Sequence, residues 1–462
     1  MNFIRDLFRL RKIGFTFFEF GLGYVATHLG LRWCTPLWCR MKCFVLRRHC
    51  PRPDMPQAVR LSFEHLGPTF MKLGQVLSMR PDFVPVEYVK ELQKLQEHAP
   101  EVPFSKIKET VESELKRPLN DIFESFDERP VAAASLGQVH KARLRGSGET
   151  VAVKVQRPNI IPMIKSDLRI MHHLARTLEK RVKEVRNYRP TRAIEAFERS
   201  MDRELDYTIE GRNADLMRYN FRNEEGVKIP NIFWKETTKR VLTMEFISGT
   251  QMGDMDRLSR EGFDHKKLMD NCTRACLLPP ILHGFFHADP HPGNVWALPG
   301  NRVCYLDFGM MGSIDRGLRQ RLMLFFLAFT EEDVEMVLHY LSSLVEVTPN
   351  SDLEEFKVEA ASSVIAFLND SKGRTLTQTF YEMISCGSKY GVYFPSQLIL
   401  LAKAMVTGES MCRMSHPDLD YLKISKPLLE EIYDKEFGIR RLLKSYRVYI
   451  PKLITLFDRM TR

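Results

Sequence analysis

His287-Ala288-Asp289-Pro290-His291-Pro292-Gly293-Asn294, a short run from Val295 to Leu306, and then Asp307-Phe308-Gly309 form the stretch around which this chain is read. It supplies an aspartate, an asparagine shortly after it, and a second aspartate ahead of Phe-Gly. Phosphoryl transfer from a nucleotide needs such a set. One carboxylate orients or deprotonates the attacking hydroxyl, while an amide and a second carboxylate hold the magnesium that clamps the phosphates. Each fragment alone is common, and an ordinary turn followed by a buried Asp would account for it. The ordered pair, joined by strand-like Val303, Tyr305 and Leu306, is much harder to obtain by chance.

Upstream, residues 123–156 have strand character. Val131-Ala132-Ala133-Ala134-Ser135-Leu136-Gly137 leads into a strand to Leu144, a Gly146-Ser147-Gly148 turn, and Thr150-Val151-Ala152-Val153-Lys154-Val155. Period-two alternation sets the three valines on one face and Ala152 with Lys154 on the other. A strand lysine is ordinarily a solvated one, but a loop of small residues before it makes Lys154 the expected phosphate-binding lysine. Nucleotide loops usually carry glycines so that backbone N–H groups can approach phosphate. Here Ala132, Ala133, Ala134 and Ser135 stand in those places, and alanine disfavours positive φ. The loop is therefore expected to be reshaped, altering whether ATP or ADP sits well beneath it. The strand Arg240–Ile247 ends in Glu245-Phe246-Ile247, suited to a hinge whose backbone at Glu245 and Ile247 meets adenine.

Pro56 to Glu97 is helical, with Lys72 and Gln75 on one face around Gly74. Val102–Leu115 reads as a further helix, entered at Pro103 with Ser105 as a candidate cap and Pro118 as its stop. Long helices follow from Pro162 to Lys183 and beyond Arg189, the latter carrying Glu204, Asp206 and Glu210. Beyond Asp315 the chain is helical, with 3.6-type periodicity over Leu322–Leu344, Leu353–Leu368, Leu398–Met411 and Ile432–Met460.

In order, Lys72-x-Gly74-Gln75, Ala132-Ala133-Ala134-Ser135, Lys154, Glu204-x-Asp206, His287-x-Asp289 through Asn294, and Asp307-Phe308-Gly309 closely resemble the UbiB family of atypical kinases. That family is associated with ubiquinone and other isoprenoid-lipid synthesis. The resemblance covers roughly residues 60 to 330. It implies an α+β, protein-kinase-like two-lobe fold with an N-terminal helical extension over the active site. It further implies ATP or ADP with Mg2+ as cofactors. Lys154 would contact the α/β-phosphates and pair with Glu210, and Asp289 would be the catalytic-position aspartate. Asn294 and Asp307 would hold magnesium. Lys72 and Gln75 would be regulatory, with Lys72 engaging Glu204 or Asp206. Two departures from protein kinases bear on the acceptor. His291 occupies the place where serine/threonine kinases often put a lysine, and no Ala-Pro-Glu follows Gly309 before the next helix. In-trans phosphorylation of proteins is therefore not expected.

The chain has 462 residues, 44% hydrophobic and 27% charged, with a formal net charge of +10. That composition is globular and points to an anionic partner: a nucleotide, an anionic membrane surface or a lipid precursor. No nucleic-acid signature is present, and quinone-biosynthesis enzymes are the protein partners the resemblance implies. Nine cysteines, an odd count in a long chain, favour a reducing compartment. Cys34, Cys39, Cys43 and Cys50 crowd one region without the paired spacing of zinc sites, and read as small apolar residues on a helix.

Ile13–Leu31 approaches the length of a membrane span but holds Glu19 and His28 between basic flanks that include Arg32, Arg40, Lys42, Arg47 and Arg48. It reads as an interfacial amphipathic segment, with packing on the protein itself or a true span as the other readings. The basic C-terminal run with Arg440, Arg441, Lys444, Arg447 and Lys452 fits a membrane surface or a solvated packing helix. The expected location is peripheral, on the cytoplasmic face of a membrane or the matrix side of an organelle. The expected segments are 1–55 (basic, membrane-associating), 56–120 (helical extension), 121–247 (N-lobe) and 248–462 (helical C-lobe). A nucleotide-sensing scaffold with little turnover, and a phosphotransferase of the aminoglycoside or choline kinase type, are the alternative functions. The Lys72/Gln75 extension counts against the latter.

Overall fold

The structure is a computed structural model and describes residues 2–22, 54–78, 84–95, 100–181, 190–370, 374–415 and 426–433. The four clustered cysteines, residues 23–31 of the N-terminal segment and the basic C-terminal run lie outside them. The chain forms two compact units, Met1–Asp215 with Pro230–Ile247, and Leu216–Ile229 with Ser248–Arg462.

The helices of the first unit begin with α1 (Asn2–Glu19), α2 (Met55–Leu66), α3 (Pro68–Ser78), α4 (Val86–Leu92), α5 (Phe104–Leu115) and the single turn α6 (Leu119–Ile122). The sheet strands are β1 (Phe123–Phe126), β2 (Ala132–Ala133), β3 (Gly137–Leu144) and β4 (Thr150–Gln156). After α7 (Ile160–Arg181), α8 (Pro190–Glu204) and α9 (Tyr207–Asn220), the chain forms β5 (Val227–Lys228) of the second unit and returns for β6 (Val241–Glu245). The antiparallel order is β1-β3-β4-β6, with β2 on β3.

The alternation in β4 is as read from sequence. Val151, Val153 and Val155 are fully buried in one core with Ile107 and Val111 of α5, leaving Lys154 on the other face. A second core joins the N-terminal helices to α7 and α8 through Ile13, Phe17, Phe63, Phe70, Ile164 and Phe197. Burying each such side chain contributes about 1.5–3 kcal/mol. Leu136, from the turn between β2 and β3, belongs to this second core, so the helical extension is packed onto the Ala-rich loop.

The structure departs from several of these expectations. The single helical pattern over Pro56–Glu97 is three helices, broken at Gly67 with φ +95° and at Pro85. Ser105 does not cap α5. Pro103 holds that position with no side-chain bond, and Lys116 ends the helix in the left-handed region. The described part of the 13–31 segment turns its apolar side into the protein, with Ile13, Thr16 and Phe17 buried. The physical reason is a polar anchor hidden from local pattern. Arg9 of α1 donates to both oxygens of fully buried Asp167 at 2.5 and 2.9 Å and to the Leu66 carbonyl at 2.7 Å, while Thr69 donates to Asp167 at 2.7 Å. A buried carboxylate is tolerated only when so satisfied.

The second unit contains β7 (Thr250–Gln251), α10 (Met255–Arg260), α11 (His265–Leu278), β8 (Phe285–His287), β9 (Val295–Leu298), β10 (Arg302–Tyr305) and β11 (Met311–Ser313). Helices α12 (Arg316–Thr330), α13 (Val334–Leu344), α14 (Leu353–Asn369), α15 (Leu376–Gly387) and α16 (Ser396–Ser415) follow. Its strands pair as β5-β10-β9-β7 and as β11-β8. The apolar run of α12 is core: Phe325, Phe326 and Phe329 are buried against the rings of Phe367 and Phe380. The periodic run Leu322–Leu344 is broken by Glu332 at φ +57°, after which Asp333 caps α13. Helix α15 falls within the stretch read as helical beyond Asp315, outside the four runs singled out for periodicity. Among the described residues no helix is long and apolar enough to cross a membrane.

Candidate functional site

The motif residues fall into two groups, one in each unit. In the first, β4 carries Lys154 between Val139 of β3 and Leu242 of β6. Its Nζ donates to Glu210 Oε1 at 2.8 Å and Oε2 at 2.9 Å, and it lies 5.2 Å from the centre of the Tyr207 ring. Glu210, in the first turn of α9, is 5% exposed. The start of that helix is fixed by Asp206, which accepts from the Thr208 N–H at 3.0 Å and from its hydroxyl at 2.6 Å. Asp206 is thus a helix cap, with Lys239 3.9 Å away, and the carboxylate that meets Lys72 is Glu204, at 3.1 Å.

Gln75 is half-buried on α3, and its backbone carbonyl accepts from Ser78 Oγ at 2.7 Å. Between Lys72 and Gln75, Gly74 is a packing requirement. A Cβ there would lie 2.3 Å from Leu95 Cδ1 and 2.9 Å from Phe63 Cδ2. The glycine lets α3 lie against α2 and the segment after α4.

The Ala-rich loop closes as a hairpin. Ala132 and Ala133 pair with Val139 and Gln138, and the Ala134 N–H donates to the Gly137 carbonyl at 2.9 Å. None of Ala132 to Gly137 adopts positive φ, so alanine costs this loop nothing. Gly137 is needed for closeness instead, since a Cβ would lie 2.4 Å from Tyr207 Oη and 2.6 Å from the Val155 carbonyl. Ser135 is 1% exposed and its hydroxyl has no partner among the described residues. Arg157, which sequence reading passed over, braces the loop by donating to the Ala134 carbonyl at 3.0 Å and the Pro100 carbonyl at 2.8 Å. Its place immediately after the strand that carries Lys154 was the available signal. At the end of β6, the Glu245 N–H is taken by the Asn231 carbonyl at 2.8 Å, and its carboxylate accepts from the Asn231 N–H at 3.1 Å. Ile247 is buried just beyond.

In the second unit, β8 delivers His287 and then Asp289. The Asp289 N–H donates to His287 Nδ1 at 3.1 Å, so the ring proton sits on Nε2 and is donated to the Asp307 carbonyl at 2.5 Å. Burial pushes the His287 pKa down and keeps the ring neutral, stacked on Tyr305 with centroids 4.9 Å apart. This buried imidazole ties the Asp289 loop to Asp307. The β9–β10 hairpin brings Asn294 and Asp307 to one end: Val295 pairs with Tyr305, and the Leu306 N–H donates to the Asn294 carbonyl at 3.0 Å. Asn294 Nδ2 donates to the Asp289 carbonyl at 3.3 Å, which leaves Oδ1 as the side chain's acceptor. Asp307 Oδ1 accepts from the Gly309 N–H at 2.8 Å. Asp289 has a partner that no motif announced: Lys403 Nζ of α16 donates to its Oδ1 at 2.9 Å. Burial pushes the Asp289 carboxyl up, but the Lys403 ammonium outweighs this and holds it below the usual carboxylate range.

A lysine on a sheet strand paired to a helical glutamate, with an Asp/Asn/Asp set on a helical unit, defines a protein-kinase-like class. Within it, a family model of the ABC1 atypical kinase-like domain matches residues 94–341, and one of the UbiB helical domain matches 373–420. The chain belongs to this ABC1/UbiB atypical kinase-like family. It is 34% identical over 388 residues to Protein ACTIVITY OF BC1 COMPLEX KINASE 7, chloroplastic, of Arabidopsis thaliana, covering 83% of this chain and 55% of the relative. It is 33% identical over 382 residues to the Synechocystis protein sll1770, covering 82% of this chain and 65% of that protein. The chain thus spans between about half and two thirds of these relatives' length. Among solved structures, Rv3197 of Mycobacterium tuberculosis, in complex with erythromycin, shares the fold with a TM-score of 0.56 at 22% identity, over 79% of this chain and 93% of that one.

Proposed function

We propose that this chain is a Mg2+-dependent, adenine-nucleotide-binding ATPase or phosphotransferase. It acts on water or on a small or lipid-borne hydroxyl, and it supports isoprenoid quinone or related lipid synthesis at a membrane surface. The observation that carries this reading is the Lys154–Glu210 pair, with both carboxylate oxygens on one ammonium. It holds the lysine extended on its strand, as a group meant to meet phosphate must be.

The donor set at the end of the β9–β10 hairpin fits magnesium. Asn294 and Asp307 offer hard oxygen atoms, and Mg2+ is commonly held by one or two such side chains together with water and substrate phosphates. Bound there, the ion would neutralise charge on the phosphates. Against a protein acceptor stands the short path from Gly309 to α12, half of it used by β11 pairing with β8. No span remains for a peptide-docking segment. The membrane reading is supported by exposed Ile4, Leu7 and Phe8 on α1, with exposed Arg5, Arg11 and Lys12 nearby, and by the net charge of +10. The Ala-rich hairpin supports slow turnover and a nucleotide preference of its own. Enzymes of quinone synthesis are the partners this reading implies.

The test is ATP turnover with Mg2+ on vesicles containing anionic lipid, for wild type and Asp307→Asn. A loss of roughly 100-fold with nucleotide binding retained is expected. Equal turnover in the two proteins, with binding intact, would leave a nucleotide-sensing scaffold in its place. Quinone and lipid profiles of a deletion strain, with and without rescue by Asp307→Asn, test the biological half.

A further inference from the structure

Asp289 lies in a loop whose next charged or titratable residue, His291, stands where a catalytic-loop lysine often is. His291 does not do that lysine's work. Its Nδ1 accepts the Gly293 N–H at 3.1 Å, and its Nε2 is 3.9 Å from Asp289 Oδ2, beyond a hydrogen bond. The cation on Asp289 comes from far along the chain. Lys403 is 114 residues away, on α16, inside the segment matched by the UbiB helical domain rather than by the ABC1 domain that holds Asp289. Helix α16 is placed for this by close packing on α11, where a Cβ at Gly408 would come 2.7 Å from Cys276 Sγ.

We infer that Lys403 is the positioning residue for Asp289, supplying from the helical segment the cation that the loop sequence lacks. The inference rests on the phosphoryl-transfer reading above. With Oδ1 engaged by Lys403, Oδ2 is the oxygen turned to the acceptor. As the acceptor oxygen bonds to the γ-phosphorus of ATP, the bond to the β–γ bridging oxygen breaks and ADP leaves with that electron pair. The acceptor proton passes to Oδ2 and then to solvent. Stability alone is a poor account of the pair, because its side chains are 23% and 26% exposed and such pairs contribute little.

The experiment is a double-mutant cycle on ATP turnover with Asp289→Asn and Lys403→Met, with Lys403→Arg and Lys403→Gln as companions. Lys403→Met should lower kcat by roughly 10- to 100-fold with little change in KM for ATP, and Lys403→Arg should restore part of it. In the Asp289→Asn background Lys403→Met should cost less than about twofold more, because the lysine acts through that carboxylate. A full, additive loss in that background, or an unchanged kcat in Lys403→Met, overturns the inference. Lys403→Gln serves the same cycle if the methionine variant does not fold. Turnover that needs Asp289 but ignores Lys403 removes this inference alone. Wild-type turnover no higher than Asp289→Asn removes the functional reading and this inference with it.

Discussion

Two lysine–carboxylate pairs, one in each unit, have nearly the same length and opposite logic. Lys154–Glu210 measures 2.8 Å and Lys403–Asp289 2.9 Å. In the first, the lysine is the working group and the glutamate its anchor. The anchor is buried, with its side chain 6% exposed against 18% for the lysine. In the second, the carboxylate is the working group and the lysine its anchor, and both are about equally open. A buried anchor fixes its partner firmly, and losing that partner strips a buried carboxylate of an ammonium counter-charge. An open anchor costs the fold little when it is removed.

The sharpest way to break this contrast is to remove the lysine of each pair. Lys154→Met should abolish ATP turnover, by roughly 100-fold or more, and destabilise its unit by about 3 kcal/mol because buried Glu210 loses the ammonium that both its oxygens accept from. Adding Glu210→Leu should recover most of the stability in thermal melts and none of the turnover. Lys403→Met should lose turnover while costing less than about 1 kcal/mol. Equal destabilisation by the two lysine variants would show that the difference in burial has no energetic meaning.

A smaller effect is expected beside the first pair. Gly74→Val forces a side chain into the contact with Leu95 and Phe63, and should cost about 1–3 kcal/mol in denaturant unfolding. It should also loosen Lys72 from Glu204, which ends the helix just before the one carrying Glu210. A variant as stable as wild type would mean that α3 is not clamped as described.

The smallest effect concerns the helix that carries Lys403. Glu409, 1% exposed, accepts from Thr377 Oγ1 and, at 3.3 Å, from Arg413 Nε, so it links α15 to α16. Burial raises its carboxyl above the ordinary value of 4.5 in spite of both donors. The folded state therefore holds a proton that the unfolded state gives up. The stability this contributes is present in full below about pH 4.5 and is lost as pH rises through the raised value. Melting temperatures should show that downward slope in wild type and a flatter one in Glu409→Gln. Parallel slopes would remove Glu409 from the account of how α16 is held.

The sequence by itself determined everything that rests on short-range pattern. Alternation in Thr150–Gln156 set Lys154 on the face away from the valines, and the order of motifs gave the kinase-like class and the pairing of Lys154 with Glu210. The Asp289-to-Gly309 stretch gave the set of polar groups that one hairpin gathers. Local pattern also left errors, at Ser105 and at Glu332. There a proline cap and a left-handed residue departed from simple periodicity. Only the tertiary structure decided between Glu204 and Asp206 for Lys72, turned residues 13–22 inward through Arg9 and Asp167, and brought Lys403 onto Asp289. Each of these is one side-chain contact across a long stretch of chain. A single charge carries no periodicity, so its partner is chosen by where packed helices happen to place it, and that is not written in any window of sequence.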